Sequence, residues 1–244
     1  MKGIILAGGT GTRLSPLTKA TNKHLLPVGG VPMIYHPLKR LAESKITDIM
    51  IVTGTEHMGD MITTLGSGRE FGCEITYRVQ DKPDGIAGAL LLCESFIGDS
   101  LFVTVLGDNI FENSFLSYVE KFKKIQSSSG FKSMLLLKEV SNPERFGVAT
   151  ISDGKIVKIV EKPTSTESNL CVTGAYFYDK NVFQFIKNLE PSRRNELEIT
   201  DVNNQYIGLD SCYHDVLDGW WTDAGTHASY NSANLFFING ENSS

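Results

Sequence analysis

The chain has 244 residues, enough for one large domain or two small ones and for a substantial core. Its 23 Lys and Arg and 28 Asp and Glu give a formal net charge of -5, which argues against a nucleic-acid-binding protein, because these usually carry a basic excess. The four cysteines lie far apart without a CxxC pair, so we expect no zinc site. We expect the cysteines to be reduced thiols in a cytoplasmic protein. The apolar run Ile4–Ala7 is too short for a signal peptide, and no stretch is long and apolar enough to span a membrane.

In the first half of the chain, short β-rich runs alternate with helical patterns. The predicted strands are Lys2–Gly8, Asp48–Gly54, Cys73–Gln80 and Leu101–Asn109, and the predicted helices are Met33–Lys45, Gly59–Gly68 and Gly85–Gly98. Strands that alternate with helices indicate a mostly parallel sheet with helices on both faces. The sequence therefore predicts an α/β fold.

The second half has a different pattern. Two apolar runs in Arg145–Pro163 flank Asp153-Gly154, which predicts a β-hairpin. The elements predicted after it are a strand at Leu170–Asp179, a helix at Lys180–Leu189 capped by Asp179, a helix at Asp201–Leu209 capped by Thr200, a strand at Tyr213–Leu217 and a helix from His227 to about Ile238. The segments predicted to be irregular are the polar loops Gln126–Gly130 and Pro163–Asn169 and the frayed terminus NGENSS (239–244), of which 241–244 lie beyond the predicted domain.

The first predicted strand runs into a glycine-rich segment, LAGGTGTRLSPLTKATNKHLLP (Leu6–Pro27). Glycines at the carboxyl edge of a parallel sheet let the backbone approach a phosphate and donate several N–H groups to it. Arg13 and Lys23 add a guanidinium fork and a point charge for phosphate oxygens. Leu14 occupies the place of the third glycine of a dinucleotide fingerprint, and the Gly-Lys pair of a Walker loop is missing. A phosphate site of another kind is favoured over both an NAD-binding domain and a plain tight turn.

One aspartate lies at the end of a predicted strand, and another lies just before the last predicted helix. Asp108 lies in VLGDN (Val105–Asn109), and Asp223 lies in WWTDAGT (Trp220–Thr226). Such carboxylates suit Mg²⁺, which is typically held by one or two carboxylates together with substrate phosphates. Each aspartate is equally suited to capping the turn or helix that follows, and the residues alone leave that alternative open.

The run GGTGTRLSPLT…NKHLLPV…PMIYHPL resembles the signature of the sugar-nucleotide pyrophosphorylases, a nucleotidyltransferase family, and the resemblance covers nearly the whole chain. It implies a three-layer α/β/α Rossmann-like nucleotide-diphospho-sugar transferase fold with a mixed, mostly parallel central sheet. It implies one nucleotidyltransferase domain at residues 1–240, with a nucleotide-binding half at 1–110 and a sugar-phosphate-binding half at 111–240. It also implies a Mg²⁺-dependent reaction, in which a hexose 1-phosphate oxygen attacks the α-phosphate of a nucleoside triphosphate in line and pyrophosphate leaves.

The resemblance also implies roles for particular residues. The catalytic residues would be Arg13 and Lys23, which stabilise the leaving pyrophosphate, and Lys162, which orients the sugar 1-phosphate. The nucleotide would be bound by Gly8, Gly11, Thr12, Arg13, Lys23, Gln80, Gly85 and Asp108, with Gln80 and the Gly85 backbone on the pyrimidine. The sugar would be bound by Asn109, Gly147, Glu161, Lys162, Val172 and Tyr176, and Mg²⁺ by Asp108 and Asp223. His24 is a departure, because close relatives usually carry Gln or Phe there.

The segment VQDKPDGIAGAL (Val79–Leu92) resembles the thymidylyl-transferring type of the family. The substrates implied are dTTP and glucose 1-phosphate, and the products are dTDP-glucose and pyrophosphate. UTP stays open, because thymine differs from uracil by one methyl group, worth only about 1–3 kcal/mol in a pocket. The alternatives are a UTP- or CTP-using transferase and a non-catalytic sugar-nucleotide-binding regulator; the charged residues Arg13, Asp108 and Lys162 disfavour the regulator. We expect a homo-oligomer, such as a dimer, with no nucleic-acid or membrane partner.

Overall fold

Most of the predicted strands and helices lie close to observed ones, but the patterns predicted neither the helix Leu116–Ser129 nor the strand Ser133–Glu139. The computed structural model describes residues 1–241, so the end of the predicted tail, residues 242–244, lies outside the described residues. The elements in chain order are β1 (Lys2–Ala7), β2 (Pro27–Val28), β3 (Val31–Pro32), α1 (Tyr35–Glu43), β4 (Asp48–Gly54), α2 (Met58–Leu65), β5 (Glu74–Gln80), α3 (Ile86–Leu91), α4 (Glu94–Ile97), β6 (Phe102–Leu106), β7 (Asn109–Phe111), α5 (Leu116–Ser129), β8 (Ser133–Glu139), β9 (Gly147–Ser152), β10 (Lys155–Glu161), β11 (Leu170–Tyr178), α6 (Asn181–Lys187), α7 (Ile199–Gly208), β12 (Cys212–Val216), β13 (Trp221–Asp223) and α8 (His227–Glu241). Single 3-10 turns occur at Thr12–Leu14, Leu17–Lys19, Lys23–Leu25, Arg69–Phe71 and Pro143–Arg145.

The described chain divides into two units, each built from separate stretches of sequence. The glycine-loop unit contains Lys2–Pro83, Val105–Leu116 and the chain from Gly219 onward. The hairpin unit contains Asp84–Thr104 and Ser117–Asp218, together with Met1. The functional halves predicted at 1–110 and 111–240 stay a prediction.

The glycine-loop unit is built on β1, β4 and β5, which form a parallel sheet. The last residues of β6 belong to the same unit, and β6 is the neighbour of β1 in the strand order. β1 pairs with β4 from Gly3–Ile49 to Ala7–Thr53, and β4 pairs with β5 along its whole length. Ile4, Ile5 and Ile51 are fully buried, and each such side chain contributes about 1.5–3 kcal/mol of hydrophobic stabilisation. Because the strands run parallel, the residues that follow their carboxyl ends lie at one edge of the sheet.

The hairpin unit contains the predicted β-hairpin, which is confirmed. β9 and β10 pair antiparallel around a turn in which Asp153 and Gly154 have φ of 48° and 75°, the left-handed values of a two-residue hairpin turn. The register places Glu161 opposite Gly147 at the open end of the hairpin. β9 also pairs with β11, which pairs antiparallel with β8, and β8 pairs parallel with β12. The sheet is therefore mixed, and the predicted α/β class is confirmed.

One predicted helix and one predicted loop differ from the structure. The predicted helix Gly85–Gly98 is divided into α3 and α4, because the N–H of Cys93 donates to Leu90 at 2.9 Å in a tighter three-residue bond that interrupts the α-helical pattern. The predicted loop Gln126–Gly130 is helical as far as Ser129, since its serine hydroxyls donate to carbonyls one turn earlier in α5 and so are satisfied within the helix. Within residues 1–241, no helix has the length and apolar character needed to cross a bilayer.

Candidate active site

The glycine segment leaves β1 and folds under the side chain of Lys23. Gly11 has φ of 67°, and its carbonyl accepts hydrogen bonds from the Leu14 N–H and the Thr18 hydroxyl, both at 2.9 Å. A Cβ on Gly11 would lie 2.9 Å from the Lys23 Cβ, and a Cβ on Gly9 would lie 3.3 Å from the Lys23 Nζ. The glycines therefore leave the space through which Lys23 crosses the segment.

The side chain of Lys23 forms an ion pair with Asp108, which follows β6. Its Nζ lies 2.5 Å from the Asp108 Oδ2, and both side chains are nearly buried. Burial by itself raises the pKa of the Asp108 carboxyl, but the charge of Lys23, with hydrogen bonds from Lys23 and the Asn109 amide, outweighs it and holds that pKa well below its usual range. Asp108 is therefore a buried carboxylate that stays ionised at neutral pH.

A second carboxylate reaches the same place through the β7–β13 pair. The antiparallel register sets Asp223 opposite Asn109, the residue after Asp108. A Cβ on Gly225 would lie 3.3 Å from the Asp108 Oδ2 and 3.6 Å from the Asp223 Oδ2. The same position lies 3.0 Å from the Arg13 Nη2. Two carboxylates and a guanidinium thus surround the space over Gly225.

His24 is buried next to Gly107, the residue before Asp108. Its Nδ1 lies 2.7 Å from the Asn22 Oδ1, and a Cβ on Gly107 would lie 2.8 Å from its Cδ2. Burial, aided by the neighbouring Lys23 charge, lowers the pKa of His24 to about 3. His24 is therefore neutral at neutral pH, and its packing depends on Gly107 having no side chain.

Gln80 lies against the start of the glycine segment. It is the last residue of β5, opposite Gly54 of β4, and is 9% exposed. A Cβ on Gly8 would lie 2.6 Å from the Gln80 Oε1, so any side chain at position 8 would displace the amide. The predicted triphosphate-binding glycine and the predicted pyrimidine-binding residue are thus neighbours.

Asn109 is predicted to bind sugar, and its side chain lies in the glycine-loop unit. It is buried, its Nδ2 donates to the Asp108 Oδ1 at 3.0 Å, and its Oδ1 accepts from the Trp221 Nε1 at 2.8 Å. Both ends of the amide are therefore engaged, and one of them orients the Asp108 carboxylate.

In the hairpin unit, Glu161 and Gly147 face each other across β9 and β10. The Thr200 hydroxyl donates to the Glu161 Oε2 at 2.7 Å, and a Cβ on Gly147 would lie 3.4 Å from that same oxygen. The prediction that Thr200 caps a helix is wrong: α7 begins one residue earlier, with Glu198 at the N-cap, and the hydroxyl of Thr200 is used by Glu161. Because Gly147 has no side chain, its backbone lies close to the carboxylate that Thr200 fixes.

Lys162 follows directly in a left-handed conformation, with φ of 41°. Its N–H donates to the Phe146 carbonyl at 2.9 Å, and its Nζ lies 3.3 Å from the Glu161 Oε1. Arg194 also reaches this carboxylate, with its Nη2 3.8 Å from the Glu161 Oε1 and 2.8 Å from the Glu198 Oε2. Arg194 is not predicted from the sequence, because nothing in the polar run PSRRNELE distinguishes it from a solvated charge.

The remaining predicted residues of the hairpin unit are Val172, Tyr176 and Gly85. Val172 and Tyr176 lie on β11 and are 8% and 5% exposed, on either side of an irregularity in its pairing with β8. Gly85 has φ of 98° at the start of α3, and a Cβ there would lie 2.6 Å from the Leu197 carbonyl oxygen. Glycine is therefore required at this position for backbone packing as well as conformation.

Residues 2–240 match the nucleotidyl transferase family. The chain belongs to this family. It is 44% identical to a glucose-1-phosphate thymidylyltransferase of Neisseria meningitidis over 239 residues, which are 97% of this chain and 82% of the relative. Among solved structures, a proposed glucose-1-phosphate thymidylyltransferase from Bacillus anthracis in complex with sucrose is 56% identical, with a TM-score of 0.92, and the match covers 97% of this chain and 95% of the other. A UDP-glucose pyrophosphorylase complexed with UDP-glucose is 25% identical, with a TM-score of 0.81 and 98% of both chains covered.

These structural neighbours confirm the Rossmann-like α/β fold of the nucleotidyl transferases for this chain. The predicted site residues of this nucleotidyl transferase fall into two groups. The glycine-loop unit carries Gly8, Gly11, Thr12, Arg13, Lys23, Gln80, Asp108, Asn109 and Asp223. The hairpin unit carries Gly85, Gly147, Glu161, Lys162, Val172 and Tyr176.

Proposed function

We propose that this nucleotidyl transferase condenses dTTP with α-D-glucose 1-phosphate to give dTDP-glucose and pyrophosphate. The sugar 1-phosphate oxygen forms a bond to the α-phosphorus, the bond from that phosphorus to the bridging oxygen breaks, and pyrophosphate takes the electron pair. The observation that carries this proposal is the grouping of Arg13, Asp108 and Asp223 over Gly225, beside Lys23. The similarity to glucose-1-phosphate thymidylyltransferases over nearly the whole chain supports the choice of substrates.

Both reactants are anions, so catalysis depends on charge neutralisation and positioning rather than on a covalent intermediate. The N–H groups of Gly8, Gly11 and Thr12 bind the triphosphate, and Arg13 and Lys23 stabilise the negative charge that develops on the leaving pyrophosphate. Gln80 carries both a donor and an acceptor for the pyrimidine edge. In the hairpin unit, the Gly85 backbone is the proposed pyrimidine-binding group.

The hairpin unit supplies the groups for the sugar phosphate. Lys162 orients the attacking phosphate, and Glu161, fixed by Thr200, accepts hydrogen bonds from sugar hydroxyls above Gly147. Val172 and Tyr176 line the sugar site of the hairpin unit. Asn109, in the glycine-loop unit, orients the Asp108 carboxylate through its amide.

Members of this family generally use a divalent metal ion, and the donor set here fits Mg²⁺. Asp108 and Asp223 direct oxygen atoms to one place over Gly225, and Asp108 is ionised. Two carboxylates completed by substrate phosphate oxygens form the kind of ligand set that Mg²⁺ takes. When bound, the ion would neutralise charge on the triphosphate.

UTP is the second candidate nucleotide, favoured by the similarity to a UDP-glucose pyrophosphorylase along 98% of the chain. The deciding experiment measures pyrophosphate release for dTTP, UTP and CTP, each with glucose 1-phosphate and other hexose 1-phosphates, in the presence of Mg²⁺. We expect the highest kcat/KM for dTTP with glucose 1-phosphate. If kcat/KM is highest with UTP, UTP replaces dTTP as the proposed nucleotide. If no pair of substrates releases pyrophosphate, the proposed transferase activity is refuted.

Three variants test the residue roles in the same assay. Lys162→Ala should lose most of its turnover with the fold intact, whereas Lys158→Ala, which removes an exposed lysine of the same hairpin, should retain it. Asp108→Asn and Asp223→Asn should each lose the Mg²⁺-dependent activity. A near-normal rate in Lys162→Ala, or an unchanged metal titration in either aspartate variant, would show that the assigned role is wrong.

A further inference from the structure

Helix α8 holds the far end of the glycine segment through two polar side chains. The Tyr230 hydroxyl donates to the Pro27 carbonyl at 2.6 Å. The Asn234 Oδ1 accepts from the Gly29 N–H at 3.1 Å, while its Nδ2 donates to the carbonyl of Tyr230 within the helix. The Pro27 carbonyl belongs to β2 and the Gly29 N–H to the turn that follows it. Because both are backbone groups, these two hydrogen bonds fix the path of the chain directly.

A third side chain of α8 reaches the near end of the segment. The His227 Nε2 lies 2.8 Å from the Ser15 carbonyl oxygen, and because a carbonyl only accepts, this nitrogen is the donor. His227, Tyr230 and Asn234 follow a spacing of three and four residues, which places them on one face of the helix. We call these three residues the α8 stripe.

Apolar packing holds the same helix against the same segment. A Cβ on Gly29 would lie 2.6 Å from the Phe237 Cγ, so the ring lies directly on the turn, and Phe237 also stacks on His36 at 4.6 Å between ring centres. One apolar cluster contains residues of both the segment and the helix: Leu14, Leu26, Val28, Met33, Ile110, Ala224 and Ala233, with Tyr230 and Phe237 packed against it. The polar contacts of the stripe therefore act on a segment that the core already holds close to α8.

We infer that the α8 stripe positions the phosphate-binding segment, and through it Arg13 and Lys23. The anchored backbone groups bracket Lys23 in sequence, and the first of them, Ser15, lies two residues after Arg13. α8 also begins two residues after Gly225, so the same helix fixes the position of the segment relative to Asp223. The phosphate role of the segment rests on the proposed function, but the anchoring itself does not.

The kinetic test uses a pair of matched hydroxyl deletions on α8. Tyr230→Phe removes the hydroxyl that binds the segment, whereas Ser232→Ala removes a hydroxyl that donates only to Ala228 of its own helix. We expect Tyr230→Phe to lower kcat/KM for dTTP about 3- to 10-fold, the range of one ordinary hydrogen bond. The KM for glucose 1-phosphate should stay within about twofold of the wild-type value, since these contacts lie in the glycine-loop unit. Ser232→Ala should match the wild type in both parameters.

A second readout does not depend on activity. Amide hydrogen exchange should be faster over residues 11–29 in Tyr230→Phe than in Ser232→Ala, with exchange in β4 unchanged. His227→Gln, which keeps a donor, should resemble the wild type, and His227→Leu should not. Equal exchange and equal kinetics in the two hydroxyl variants would overturn the inference, as would a uniform loss of activity toward both substrates. Selective exchange in a protein that makes no dTDP-glucose would support the anchoring and refute the proposed function.

Discussion

We expect His24 to lower the free energy of unfolding of this protein as the pH is lowered. Its pKa falls from 6.5 to about 3 on folding, mainly because the ring is buried. Between these two values the unfolded chain binds a proton that the folded chain does not, so the free energy of unfolding falls as the pH is lowered. Well above pH 6.5 the ring is neutral in both states, and the full stability is present.

The size of the loss follows from the shift. Each pH unit below 6.5 costs about 1.4 kcal/mol until the folded-state pKa is approached, so lowering the pH from 8 to 5 should cost about 2 kcal/mol through His24 alone. Because pH 5 lies well above the folded-state pKa, this loss is set almost entirely by the unfolded-state value.

The assay is urea unfolding, followed by tryptophan fluorescence at pH 8 and pH 5. The matched variant is His24→Gln, whose amide retains a donor for the Asn22 Oδ1 that now accepts from the ring. The wild type should lose about 2 kcal/mol more than the variant over this interval, because all other titrating groups are common to both. If the two proteins lose the same free energy, His24 is not buried as a neutral ring and the reasoning fails.

Three further substitutions test the site. Gly225→Ala places a methyl group among the charged side-chain ends that it now faces, the nearest 3.0 Å away, and should lower kcat/KM about 10- to 100-fold through displacement of these groups. Gly8→Ala would bring a Cβ within 2.6 Å of the Gln80 Oε1, and the displaced amide should raise the KM for dTTP about 3- to 10-fold. Thr200→Val removes the hydroxyl that donates to Glu161, and should raise the KM for glucose 1-phosphate about 2- to 10-fold while leaving the KM for dTTP unchanged.

Gly59→Ala is the control for the glycine variants, because a Cβ at Gly59 meets nothing within 4 Å. It should keep wild-type kinetics, and circular dichroism should show all of these variants folded. Wild-type kcat/KM in Gly225→Ala would mean that the charged groups do not act at that point. A dTTP effect in Thr200→Val would contradict its assignment to the sugar phosphate.

Local patterns were sufficient for most of the fold. The run Asp48–Gly54 was predicted with the bounds that the structure has, because a buried parallel strand is a continuous apolar run that ends in glycine. The Asp153-Gly154 turn was equally readable, since two successive left-handed residues favour this pair. Thr200 was misread because a threonine before a helical pattern has the features of a cap, and only the packing of α7 near β10 shows that its hydroxyl serves Glu161.

The sequence by itself determined most of the strands and helices and the glycine-rich segment after β1, because these depend on neighbours in the chain. Only the tertiary structure decided which charges meet. Lys23 and Asp108 are 85 residues apart in sequence yet form a buried pair. A side chain at Gly225 would crowd the Arg13 guanidinium, which lies 212 positions earlier in the chain. Such requirements come from close packing of distant segments, and no local pattern of residues records them.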